Sequence, residues 1–230
     1  MAIFQSLFDV IGPVMVGPSS SHTAGAVRIG LAARSIFGKT PSSVTITFYG
    51  SFAHTYRGHG TDLALIAGLL GFSTASTKIR DAYQWAEREH MAIDIVCSDE
   101  RTEHPNTATV SMTDGDETMS VTGVSLGGGM IDLIEIDGFS VRVHSDNPVF
   151  LIFHRDRPGL IASVTQLLAV SHVNVSQMDV SRKARGELAL MVIATDTEIP
   201  EATMSIIEQI EDVSSVIALT DIQRDPDEIA

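Results

Sequence analysis

Hydrophobic alternation and periodicity divide the chain near His144-Ser145-Asp146-Asn147-Pro148. Beyond that point the signals are regular. Val149 to His154 is an apolar run of strand length, and Ile161, Val164, Thr165 and Leu168 then recur at i, i+3, i+4 and i+7, the stripe of one helix face. Val173 to Ser181 and Glu187 to Thr195 read as strands joined by the Lys183-Ala184-Arg185-Gly186 turn, which predicts a hairpin. Thr203, Ile206, Ile207 and Ile210 repeat the helical spacing, and Val213 to Leu219 closes with a strand. The order βαββαβ is the split, ferredoxin-like arrangement.

The preceding part mixes periods. Ser19-Ser20-Ser21 stands ahead of a helix whose apolar face is Ile29, Ala32, Ala33 and Ile36. Val44 to Tyr49 reads as a strand. Leu63, Ile66, Ala67 and Leu70 mark a second amphipathic helix opened by Thr61 and Asp62, and Ile79 to Glu89 a third. Strands follow near Ile93–Cys97, Thr107–Met112, Thr118–Leu126 and Met130–Ile136, with Gly127-Gly128-Gly129 as a turn or bulge. The fold class expected is α+β: a mixed helix and antiparallel-sheet domain over residues 1–145, then a ferredoxin-like domain over 148–230.

Composition narrows the function. The 230 residues carry 15 Lys+Arg against 29 Asp+Glu, a net charge of −14. Affinity for nucleic acid comes mostly from neutralising phosphates with basic side chains, so a nucleic-acid partner is not expected. Cys97 is the single cysteine, which excludes an intrachain disulfide and any all-cysteine metal or cluster site in this chain. The segment MAIFQSLFDVIGPVMVG has no Lys or Arg and is interrupted by Asp9, Gly12 and Pro13, unlike a signal peptide. The longest apolar stretch, around Leu63 to Phe72, falls far short of the ~20 residues a bilayer requires. A soluble, cytoplasmic chain is expected, with no membrane partner.

Three polar knots are candidate sites. Gly17-Pro18-Ser19-Ser20-Ser21-His22-Thr23 supplies helix-start N–H groups, hydroxyls and an imidazole, the makings of an anion site. A helix cap accounts for one serine; three and a histidine exceed that need. A serine-hydrolase elbow, G-x-S-x-G, is absent. In Ser51-Phe52-Ala53-His54-Thr55-Tyr56-Arg57-Gly58-His59-Gly60-Thr61-Asp62, read as a strand-to-helix link, a dinucleotide fingerprint would need glycine where Leu63 stands. Gly38-Lys39-Thr40 ends like a P-loop, but Ala33 occupies the place of its first glycine. His59 lies between two glycines that permit close backbone approach to a ligand, or it is a solvated loop histidine. His104-Pro105-Asn106 is the third knot, by itself no more than a turn. Neither an i, i+4 histidine pair nor H-E-x-x-H supports metal binding by His22, His59 and His104, and no metal site is assigned. His90, His144 and His172 read as surface residues.

The stretches FDVIGPVMVGPSSSHTAGAVRIG, YGSFAHTYRGHGTD, HPNTATV and VSLGGGMIDLIEIDGF resemble the beta chain of bacterial iron–sulfur-dependent L-serine dehydratases (L-serine deaminases). FHRDRPGLIASVTQLLAVSHVNVSQMDVSR is similar to ACT regulatory domains. The resemblance covers essentially the whole chain. It implies deamination of L-serine to pyruvate and ammonia by elimination of water, without pyridoxal phosphate, assisted by a four-iron, four-sulfur cluster. With Cys97 alone here, the resemblance implies that a separate alpha chain carries that cluster. It further implies catalytic roles for His59, His22 and His104, and substrate contacts from Ser19, Ser20, Ser21, Thr23 and Asn106. His54 departs from the family pattern, which has lysine there, and receives no role. The ACT resemblance implies self-association and an amino-acid effector site, often formed across a paired domain, at His154, Asp156, Gly159 and Leu160 beside Asn174. The VSLGGGMIDLIEIDG–ACT tandem also resembles the regulatory end of some phosphoglycerate dehydrogenases, leaving a non-catalytic serine-sensing module as the alternative.

Overall fold

A computed structural model describes residues 15–144 and 147–219. The early segment weighed as a leader, up to residue 14, lies outside the described residues, as do Ser145, Asp146 and 220–230; the side chain of His144 is likewise not described. The described chain divides into two compact units, with the boundary between Asp137 and Gly138.

The first unit opens with a five-residue π-helical turn, Ser20–Ala24, that runs into α1, Gly25–Phe37. The predicted face of α1 is right: Ile29, Ala32, Ala33 and Ile36 are all buried. The helix ends at Gly38, whose left-handed φ of 82° closes the last turn on the Arg34 carbonyl. Strand β1, Ser43–Tyr49, leads into α2, Gly50–His59, then α3, Thr61–Leu69. A 3-10 turn, Thr77–Asp81, precedes α4, Ala82–Arg88. Strands β2 (Ala92–Ser98), β3 (Thr107–Asp114), β4 (Glu117–Gly127) and β5 (Met130–Ile136) complete the unit. Its strands run in the order β2-β1-β3-β4-β5.

Three expectations need correction. The segment Ser51–Gly60, read as a link, is the helix α2 up to His59. The sheet is not wholly antiparallel: β1 and β2 pair in parallel from Ser43↔Ala92 to Tyr49↔Ser98, because a helical crossover returns the chain in the same direction. The helix α3 has no single apolar face. Ala64 to Leu69 are buried all round, while Leu63 and Leu70, two of the four residues assigned to the stripe, are only half-buried. The glycine turn after β4 is as expected, with the β4–β5 register slipping between Ser125 and Gly127.

Two glycines set how α1 meets α3. A Cβ on Gly30 would collide with the Leu65 carbonyl oxygen, and one on Gly68 with the Val27 carbonyl oxygen. The helices therefore touch backbone to backbone. On its other side α1 rests on β4, where Gly123 makes room for Ile29.

In the second unit β6 (Phe139–His144) precedes β7 (Val149–Arg155), α5 (Leu160–Val170), β8 (Val175–Arg182), β9 (Leu188–Thr195), α6 (Glu201–Glu208) and β10 (Val213–Leu219). From β7 onward this is the expected βαββαβ order, and the four strands lie as β10-β7-β9-β8. One sheet face joins Phe150, Ile152, Met191 and Ile193 to Leu160, Val164, Leu168 and Ile207 of the helices. The helix faces differ in detail from the reading: Ile161 and Ile206 are 44% and 50% exposed, and Leu160 supplies the buried contact instead. On the opposite face Phe139 of β6 meets Phe153 edge-on at 6.2 Å, and the Ser181 hydroxyl donates to the Ser140 carbonyl at 2.7 Å. Sequence reading had missed β6. Among the described residues no helix is long and apolar enough to cross a membrane.

The glycine contact yields a prediction. Gly68→Ala forces two backbones apart and should lower unfolding free energy by about 1–3 kcal/mol, seen as a lower urea midpoint. Gly58→Ala, with open space around it in α2, should be neutral or stabilise by up to about 1 kcal/mol. Equal effects from the two substitutions would dismiss the close-contact account.

Candidate functional site

Four segments of the first unit converge: the π-helical turn, the start of α2, the His104-Pro105-Asn106 loop and the end of β4. Ser19 caps the turn, its hydroxyl accepting from the His22 backbone N–H at 3.3 Å and its carbonyl from Thr23 N–H at 2.8 Å. Two helix-start N–H groups expected to face an anion are thus already used. Hydroxyls and imidazoles remain as the chemistry on offer.

The His22 ring is held from both sides. Its Nδ1 lies 3.3 Å from the Ser19 hydroxyl and its Nε2 3.2 Å from the Ser51 hydroxyl. The His59 ring stands 4.8 Å away, centroid to centroid, and Phe52 meets the imidazole edge-on at 5.2 Å. His59, at the last turn of α2, keeps its Nδ1 buried with no hydrogen-bond partner among the described residues. The structure brings His22 and His59 together, as one site requires.

His104 takes part through its loop. Its Nδ1 accepts from Asn106 N–H at 3.2 Å, and its carbonyl accepts from the Thr102 and Thr107 hydroxyls at 2.8 and 2.6 Å. Only Nε2 is left to meet a ligand. Asn106 is tied to β4, its carbonyl accepting from Ser125 N–H at 2.9 Å. The Pro105 carbonyl accepts from Ser51 N–H at 2.7 Å, joining this loop to α2. Ser20 and Ser21 are half-buried on the turn, and Ser21 Oγ lies over Gly127, where a Cβ would stand 3.5 Å from it. Among the described residues the buried hydroxyl of Thr23, beneath Gly17, and that of Ser125, against Gly25, have no hydrogen-bond partner.

Sequence reasoning missed Ser51, Phe52 and Ser125 as contributors. Ser51 and Phe52 opened a segment read as a link, and nothing local to Ser125 distinguishes it from other strand serines. His54 is exposed, and so are His90 and His172, as expected.

Burial first, and then the charge of His59, hold the His22 imidazole below its ordinary value of 6.5. The folded chain therefore binds this proton less readily than the unfolded chain does. Its contribution destabilises the fold progressively as pH falls through about 6.5 and is absent above it.

The second unit holds the other candidate group. His154 is buried, with Nδ1 3.0 Å from the Arg155 carbonyl and Nε2 unpartnered among the described residues. Asp156 accepts from Arg182 at 2.8 Å and from Gly186 N–H at 3.1 Å; the latter bond, then Arg182, holds its carboxyl below the usual range. Gly159, at φ 90°, caps α5, and Leu160 is buried. Within one chain Asn174 lies apart from them. It precedes β8, bonded to Asp196 at 2.7 Å, whereas Arg155 pairs with Leu188 at the other end of β9. Antiparallel register forces that separation.

Residues 149–212 match the ACT domain model, which gives the class of the second unit. Residues 6–99 match the model of the serine dehydratase beta chain. The chain is 45% identical over 219 residues to a probable L-serine dehydratase beta chain of Bacillus subtilis (strain 168), covering 95% of this chain and 98% of that one. It is 32% identical over 209 residues to the L-serine dehydratase beta chain of Peptoniphilus asaccharolyticus, covering 90% and 94%. A D-3-phosphoglycerate dehydrogenase of Synechocystis sp. is 35% identical over 92 residues, 40% of this chain and 16% of that enzyme. The chain belongs to the serine dehydratase beta chain family and carries an ACT domain.

An NMR titration of the His22 ring should give a midpoint below 6.5. His59→Asn should raise it part of the way, since burial persists when the neighbouring charge is gone. A midpoint indifferent to that substitution would show that the two rings do not communicate.

Proposed function

We propose that this chain is the beta subunit of an L-serine dehydratase and forms one wall of a shared active site that turns L-serine into pyruvate and ammonia by eliminating water. The observation that carries the reading is the pairing of His22 with His59 inside a ring of hydroxyls from Ser19 and Ser51. An α-amino acid needs its carboxylate held and its Cα proton removed. In this reading the hydroxyls of Ser20 and Ser21, with Asn106, hold the substrate, and the free Nε2 of His104 makes a further contact; the Thr23 hydroxyl, buried beneath Gly17, supports the turn instead. Ser19 serves indirectly, because its hydroxyl is committed to His22. His59 moves the proton, work that suits an imidazole near neutrality and is worth typically ~10²–10⁴-fold.

The residues of this chain do not fit an iron–sulfur cluster. Cys97 is exposed, its thiol directed to the Ala53 carbonyl at 3.6 Å. Among the described residues no group of three or more His, Cys, Asp or Glu is placed to hold a metal ion. We assign the four-iron, four-sulfur cluster to a separate alpha chain, with no pyridoxal phosphate in either, and place the assembly in the cytoplasm. We draw the serine dehydratase part at residues 1–145 and the ACT part at 148–230, which counts β6 with the former although it belongs to the second compact unit. The latter pairs with a second copy, which would bring Asn174 of one domain to His154, Asp156 and Gly159 of the other, around an amino-acid effector.

The match to part of a D-3-phosphoglycerate dehydrogenase favours a second reading, a serine-sensing module without catalysis. Reconstitution decides between them. The chain mixed with its iron–sulfur partner should form pyruvate from L-serine, and His59→Asn should reduce the rate at least about 100-fold with iron content unchanged. No pyruvate from a fully loaded wild-type complex supports the sensing module. Separately, calorimetry of the full chain with L-serine should record binding heat that disappears in Asn174→Ala; heat that persists would place the effector elsewhere.

A further inference from the structure

We infer that Ser51 is a positioning residue for this reaction: its hydroxyl accepts from Nε2–H of His22 and fixes that imidazole in a single tautomer. The inference rests on the shared-site reading above for its kinetic consequence, and on geometry alone for the tautomer.

The Ser19 hydroxyl oxygen already accepts from the His22 backbone N–H at 3.3 Å. In the proposed arrangement the bond it makes toward the ring, across 3.3 Å to Nδ1, uses the hydroxyl's own hydrogen. A neutral imidazole has one acceptor nitrogen and one donor nitrogen. With Nδ1 accepting, Nε2 carries the hydrogen and gives it to Ser51 Oγ at 3.2 Å. The lowered proton affinity of His22 keeps the ring in this neutral form. His59 is the titratable group facing it among the described residues; its other close neighbours are the two hydroxyls and the Phe52 edge.

Ser51 is itself held from a distance. The Pro105 carbonyl accepts from the N–H groups of Ser51 and Phe52 at 2.7 and 3.4 Å. Gly50 takes a φ of 50° there, and a Cβ on it would stand 2.7 Å from the same carbonyl oxygen. The His-Pro-Asn loop thus places the start of α2, that start places the hydroxyl, and the hydroxyl orients the imidazole. Having accepted from His22, Ser51 Oγ keeps its own hydrogen to donate toward a ligand. Both nitrogens of His22 are thereby committed, and in the proposed reaction proton removal falls to the other ring, His59.

Long-range proton–nitrogen NMR on the full chain reads the tautomer directly and does not depend on what the chain catalyses. Above pH 7 it should show His22 protonated at Nε2 alone; Ser51→Ala should give a mixture, and Ser51→Thr should restore the single form. A wild-type ring protonated at Nδ1, or a Ser51→Ala spectrum unchanged from wild type, overturns the inference. In the reconstituted complex Ser51→Ala should lower kcat about tenfold or more while KM for L-serine moves less, with recovery in Ser51→Thr. Unaltered kcat alongside the expected spectral change overturns the catalytic half. A wild-type complex that makes no pyruvate counts against the proposed function and leaves the NMR result to decide the tautomer.

Discussion

The first unit turns on a contact made without side chains, Gly30 of α1 against Gly68 of α3. Dispersion forces fade quickly with separation, so two helices that touch at their backbones gain a tight fit but lose freedom to adjust it. The two paired imidazoles sit near the N-terminal ends of these helices. The turn bearing Ser20 to His22 runs straight into α1, and His59 lies two residues ahead of α3. The depth of the crossing is therefore a determinant of the 4.8 Å between the two imidazoles.

Two kinds of element are legible from sequence: a helix that leaves one face open and a strand that is apolar throughout. α1 shows its stripe in its second half, where Leu31, Arg34 and Ser35 are not buried, and β7 and β9 show as continuous apolar runs because both faces of that sheet are packed. α3 misled because it is enclosed: when every direction is buried, periodicity carries no information about facing. α2 was illegible for the opposite reason. Phe52 is its one buried residue, so it has no stripe, and glycines at 50, 58 and 60 look like punctuation. Its first turn is secured by the Pro105 carbonyl, a partner far along the chain that no local window contains. The parallel pairing of β1 with β2 depends on the path of the intervening helices, which periodicity does not encode.

The site was readable in its residue types and unreadable in its wiring. Serines and histidines in excess of what a cap or a turn needs pointed to three segments that the fold brings together. Their assignments differ once the bonds are drawn. Ser19 turns out to be committed to His22 and its backbone, and His104 faces its own loop with one nitrogen. Ser51 supplies the bond that links two of the segments, yet as a residue type it is indistinguishable from the many other serines of the chain.

The five-residue turn at Ser20–Ala24 contains one residue more than an α-helical turn does, and its closing bond runs from Gly25 N–H to the Ser20 carbonyl across that surplus. A surplus of this kind behaves as a dislocation in the winding. It turns Ser20, Ser21 and His22 away from the directions that the regular winding of Gly25–Phe37 would give them, and so sets the aim of the polar wall at the start of the helix.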